Sequence, residues 1–94
     1  MIATNFKSFP LGQVVATPGA IAVLDENAVS PATLLRRHSR CDWGAVGEED
    51  WALNDSALNA GDRLLSAYLV GDDKVWVITE ADRSSTCLLL PSEY

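Results

Sequence analysis

Up to Gly61 the apolar positions of this chain recur at helical spacing; beyond Gly61 they alternate. Leu11–Ala16 is short, apolar and β-branched at Val14 and Val15, which predicts a strand. Thr17-Pro18 then opens a helix. A Thr hydroxyl can accept an orphan amide N–H there, and Pro lacks the donor that would otherwise be orphaned. Ala20, Ile21, Val23 and Leu24 supply its apolar stripe, ending near Asn27. Ser30-Pro31 repeats the signal, with Leu34 and Leu35 apolar and Arg36, Arg37 and Arg40 near the end, where positive charge suits the helix dipole. A third helix is expected from Glu48-Glu49-Asp50 to a stop at Gly61, with Trp51, Leu53, Ala57 and Leu58 in its buried stripe.

Alternation then predicts strands over 63–70, 75–80 and 85–90, joined by turns at Gly71–Lys74 and Ala81–Ser84 and stopped by Pro91. The expected fold is α+β: about three N-terminal helices packed on a three- to four-stranded antiparallel sheet, with a C-terminal meander and 11–16 as the optional fourth strand. At 94 residues one core is all the chain can bury, so residues 11–94 are read as a single domain behind a flexible tail over residues 1–10.

Thirteen acids against seven bases give a net charge of −6. That disfavours a general nucleic-acid binder, which needs a basic surface to displace counterions. The charge is also uneven: residues 1–46 carry +1 and residues 47–94 carry −7. Such an acidic body attracts basic protein surfaces. No apolar run approaches the length of a membrane-spanning helix, and MIATNFKSFPLGQ lacks the charged and apolar regions of a signal peptide, so a cytoplasmic protein with no membrane association is expected. Cys41 and Cys87 are too few and too far apart for a disulfide-stapled domain. Cys87 reads as core filling. Cys41, beside three arginines and His38, reads as a helix-end cysteine rather than a reactive thiol.

Two polar clusters hold the candidate chemistry. In Arg36-Arg37-His38-Ser39-Arg40-Cys41-Asp42-Trp43-Gly44, His38 and Asp42 stand four apart and would share a helix face. They form either a His–Asp general base or an anion site beside the arginines, or else a carboxylate-anchored histidine at a helix end with Trp43 folded onto the core. The second cluster, Thr79-Glu80-Ala81-Asp82-Arg83-Ser84, combines acids with a cation, and equally makes a turn in which Asp82 bonds its own backbone. Arg36, Arg37, His38, Asp42, Trp43 and Asp82 are therefore the candidate binding residues. A single histidine and two distant cysteines do not make a metal site, and no glycine loop fits a phosphate, so no cofactor is expected.

Leu11–Ala20, Arg37-His38, Asp42-Trp43-Gly44, Arg63–Tyr68, Val75–Ser84 and Leu89–Tyr94 together resemble a family of small bacterial "plasmid-related" proteins carried on plasmids and integrative elements. The resemblance implies a bacterial cytoplasm and mobile DNA, and assigns no activity or site residue. Some members bear a label tying them to the methylation subunit of type I restriction systems; this chain lacks a methyltransferase glycine loop and is too short for that fold.

Two readings follow. The first is a non-enzymatic accessory or interaction protein of a mobile element, for instance an inhibitor of a nucleic-acid-binding host enzyme, with Glu48, Glu49, Asp50, Asp55, Asp62, Asp72 and Asp73 standing where phosphates would otherwise sit. The alternative is a small toxin-type ribonuclease in which His38, Glu80 and Arg83 serve as acid, base and phosphate stabiliser; it requires these three to converge on one concave face. A homodimer through an edge strand or the tryptophans is a further expectation.

Overall fold

A computed structural model describes residues 8–94. Strand β1 (Gln13–Ala16) is followed by helices α1 (Pro18–Glu26), α2 (Pro31–Ser39) and α3 (Glu48–Ala60), then strands β2 (Leu64–Val70), β3 (Asp73–Thr79) and β4 (Ser85–Leu89), and a final 3-10 turn, Pro91–Glu93. Both Pro-initiated helices start as their sequences dictate: the Thr17 hydroxyl accepts from the Ala20 N–H and the Ser30 hydroxyl from the Ala32 N–H, each at 3.2 Å. Helix α3 has no side-chain cap; Glu48, Glu49 and Asp50 sit in its first turn, and Gly61 ends it in the left-handed conformation.

The architecture is α+β, with one correction to the sheet. Its order is β1-β4-β3-β2, and β1 runs parallel to β4, with Gln13 opposite Ser85 and Ala16 opposite Leu88. The sheet is thus mixed rather than antiparallel, and the helices do not all precede it. Hairpin logic fixes only neighbouring strands, and the partner of β1 lies at the far end of the chain. The meander is as expected, except that the β2–β3 turn is tighter: Val70 pairs with Asp73, leaving only Gly71-Asp72 between the strands.

Alternation puts Leu64, Ser66, Tyr68 and Val70, then Val75, Val77 and Thr79, then Thr86 and Leu88 on one sheet face. Helices α1 and α2 bury the larger apolar cluster there through Ala20, Val23, Leu24 and Leu34. A second cluster, Cys41, Trp43 and Leu64, is completed by Phe9, Val46, Ala57 and Leu58. Phe9 stacks on Trp43, so packed chain begins two residues before the expected domain start at Leu11; the rest of the expected tail, residues 1–7, lies outside the described residues.

Helix α3 departs most from expectation. Leu53 is 65% exposed and Trp51 37%, and the one buried side chain of the helix is the polar Asn54. Asn54 closes the β2 edge: its amide accepts from the Leu65 N–H at 3.1 Å and donates to the Leu65 carbonyl at 2.8 Å. Next along the edge, the Ala67 N–H donates to the Trp43 carbonyl and the Ala45 N–H to the Ala67 carbonyl. Asn54→Ala is expected to cost about 2 kcal/mol in urea unfolding, because it leaves a half-buried donor and acceptor without partners.

Candidate functional site

His38 is fully buried between the helices and the sheet, and both ring nitrogens are bonded: Nδ1 to the Ser66 hydroxyl at 2.5 Å and Nε2 to the Thr79 hydroxyl at 2.9 Å. The chain of bonds beyond fixes its tautomer. The Thr86 hydroxyl donates to the Leu11 carbonyl, so its oxygen must accept the proton of Thr79; Thr79 then accepts from His38. His38 is therefore the neutral Nε2–H tautomer, and Nδ1 accepts from Ser66. The Phe9 and Trp43 rings close around it edge-on, at 5.1 and 5.7 Å between centroids. Burial, aided by the charge of Arg83, pushes the imidazole down to about 3. A proton on Nδ1 would force the Ser66 hydroxyl to turn its hydrogen away and accept instead. This histidine is a structural strut with no free lone pair for proton transfer.

The expected His38–Asp42 pair is not formed. Asp42 instead binds Arg37 through two oxygens, at 2.7 and 3.3 Å, and accepts from the Gly44 N–H. Helix α2 has ended before Asp42, and Cys41 takes a positive φ, so the four-residue spacing no longer places the two on one face. The Arg37 guanidinium holds the Asp42 carboxyl below its ordinary range, and it also lies 4.6 Å over the Tyr68 ring. The Tyr68 hydroxyl donates to the Asp42 carbonyl. Arg37, Asp42 and Tyr68 thus pin the loop that carries Trp43 inward. Trp43 has no exposed surface, and its indole N–H reaches Asp55 at 3.0 Å. Arg36 and Arg40 point to solvent. Neither Cys41 nor Cys87 is in a disulfide; Cys41 is buried past the end of α2, and burial raises the half-buried Cys87 thiol above its usual range.

The second cluster is a turn. Asp82 accepts from the Ser84 N–H at 3.0 Å. Arg83 donates to the backbone carbonyls of Asp62, Glu80, Ala81 and Ala57, tying the turn to the end of α3. Its guanidinium also faces Phe9 at 5.8 Å, which links it to the histidine pocket. Glu80 turns elsewhere, to Arg63 at 3.3 Å. His38 and Arg83 therefore meet around Phe9, whereas the Glu80 carboxylate belongs to another contact.

The open concave surface is built by α3. A groove of about 380 Å³ runs between α3 and the sheet face opposite α1 and α2, lined by Val46, Asp50, Leu53, Asn54, Leu65 and Trp76. A second hollow, lined by Glu49, Ala52, Leu53 and Ser56, lies on the other flank of Leu53. Leu53 is thus an apolar ridge with an acidic residue on each side. Trp76 forms the groove wall and is steadied by Tyr94, whose ring meets it edge-on at 5.7 Å and whose hydroxyl accepts from Arg63. Of the seven acids proposed to mimic phosphates, Asp55 is committed to Trp43, while Glu48, Glu49, Asp50, Asp62, Asp72 and Asp73 are exposed. Among the described residues, no helix is long and apolar enough to cross a membrane.

Sequence reasoning missed the Ser66–His38–Thr79–Thr86 chain, although strand parity holds the signal: all three hydroxyls fall at core-facing positions. Comparison with protein-family models, curated proteins and solved structures gave no match.

Proposed function

We propose that this protein is a non-enzymatic binding module, an accessory protein of a bacterial mobile element in the cytoplasm, that docks a basic protein surface onto α3. The observation that carries this reading is the exposed Leu53 ridge of α3, flanked by Glu49 on one side and by Asp50 and the Trp76 groove on the other. Most of a helix's stability in a protein comes from burying an apolar face, and here much of that face is left outward. An apolar anchor ringed by one sign of charge suits a partner of opposite charge, with the ring speeding encounter and the anchor supplying affinity. A nucleic-acid-binding host enzyme has such a basic surface, so inhibition by occupying its phosphate track is the concrete form of the proposal. The ribonuclease reading gains no support from a sealed imidazole with both nitrogens bonded.

The test is affinity capture from the native host with two baits, wild type and a variant combining Glu49→Lys, Asp50→Lys and Leu53→Asp. The expected result is a stoichiometric nucleic-acid-binding partner held by the wild type and lost by the variant, in a salt-dependent way. RNA cleavage by the purified protein, or a partner retained equally by both baits, contradicts it.

A further inference from the structure

The two edges of the sheet differ. On β2, the outward backbone groups of Leu65 and Ala67 are taken up by Asn54, Trp43 and Ala45. On β1, the Gln13 N–H donates inward to the Ser84 carbonyl and, just past the strand, the Thr17 N–H to the Leu88 carbonyl. Alternation in a parallel ladder then turns the N–H and C=O groups of Val14 and Ala16 outward, where no strand among the described residues meets them. The side chains there are apolar and open, with Val14 43% and Val15 45% exposed. Natural sheet edges are commonly blunted by charge, proline or a bulge. Here residues 8–24 carry no charged side chain at all, in a chain of net charge −6.

That neutrality selects the occupant. Two copies repel one another over the rest of an acidic surface, and the uncharged edge is where they can approach without that penalty. We propose that β1 pairs antiparallel with β1 of a second copy about a two-fold axis at Val15, joining two four-stranded sheets into one. In this register the outward groups of Val14 face those of Ala16 in the second copy, and the two Val15 side chains meet on the face away from α1 and α2. The contact is isologous and closed, so it ends at a dimer. A strand this short buries little area, so the dimer is expected to dissociate in the micromolar range.

Sedimentation velocity on the full chain, from micromolar to millimolar concentration, tests this against two β1 variants. Val15→Lys places a charge at the axis. Val14→Pro removes one outward N–H and leaves the inward ladder intact. The expected result is a reversible wild-type dimer and two monomeric variants with unchanged circular dichroism and melting. A wild type that remains monomeric throughout, including one that instead takes up a strand from another protein, overturns the proposal, as does a dimer that survives both substitutions. The α3 reading fails or stands separately, because Val15→Lys is expected to leave partner capture intact and Leu53→Asp to leave the dimer intact.

Discussion

Between pH 6.5 and pH 4.5 the wild-type protein is expected to lose about 2 kcal/mol of folding stability that a His38→Gln variant does not lose. The unfolded imidazole takes up a proton at its ordinary 6.5 and the folded one only near 3, so the unfolded state binds more protons throughout that interval. The contribution of a neutral His38 is complete above 6.5 and drains away as the pH falls toward 3. His38 is the sole histidine of the chain, so the upper part of the window belongs to it. Closer to the ordinary carboxyl range, Asp42, Asp82 and Glu93, each held low by hydrogen bonds, add to the loss. Urea unfolding at stepped pH measures the effect, and a wild-type curve parallel to that of His38→Gln contradicts it. His38→Ala is expected to cost about 3 to 5 kcal/mol even at pH 8, because it opens a cavity and strands the Ser66 hydroxyl.

The second large effect is expected at Gly44. It stands at a φ of +77°, and a Cβ there would run into the Ala67 carbonyl oxygen and come within 2.6 Å of the Tyr68 ring. Neither neighbour can retreat: Ala67 is held in β2 by its bonds to Trp43 and Ala45, and Tyr68 by Asp42 and by Arg37 over its ring. Gly44→Ala must therefore push the loop off the β2 edge and lift Trp43 from the core, a loss of about 4 kcal/mol. Gly61 provides the control. Its φ of +75° is nearly the same, but nothing lies within 4 Å of the position a Cβ would take, so Gly61→Ala is expected to cost about 1 kcal/mol, for backbone strain alone. Equal losses in thermal unfolding would show that backbone strain, and not the collision with β2, governs both sites.

Much of the fold is legible because its signals are local. Thr17-Pro18 and Ser30-Pro31 start helices through contacts made within three residues, and the β2–β3–β4 meander follows from alternation and short turns. What failed was non-local. The parallel pairing of β1 with β4 depends on how three intervening helices fold back. Of the expected buried stripe of α3, Ala57 and Leu58 pack against Cys41, Trp43 and Leu64, but Trp51 and Leu53 lie outward, because Asn54, with its two bonds to Leu65, sets which side of the helix meets the sheet. The same holds for the candidate site: His38 and Asp42 have the spacing of a pair, but the chain leaves the helix between them. The buried hydroxyls that hold His38 come from three different strands, and only knowledge of sheet parity and pairing brings them together. The acidic half of the chain is plain in the composition, whereas the groove it rims exists only once α3 leans on the β2 edge.

The three tryptophans allow the central claim, that binding belongs to the α3 face and not to the histidine pocket, to be read directly. Trp43 lies in the core beside His38, Trp51 is on α3, and Trp76 lines the groove. In a heteronuclear NMR titration with a synthetic cationic amphipathic helical peptide, the indole signal of Trp76 is expected to move, to return as salt is added, and to stay still in Leu53→Asp, while the Trp43 signal is unchanged throughout. An indole of Trp43 that shifts with the peptide while that of Trp76 does not would place binding in the histidine pocket and contradict the claim.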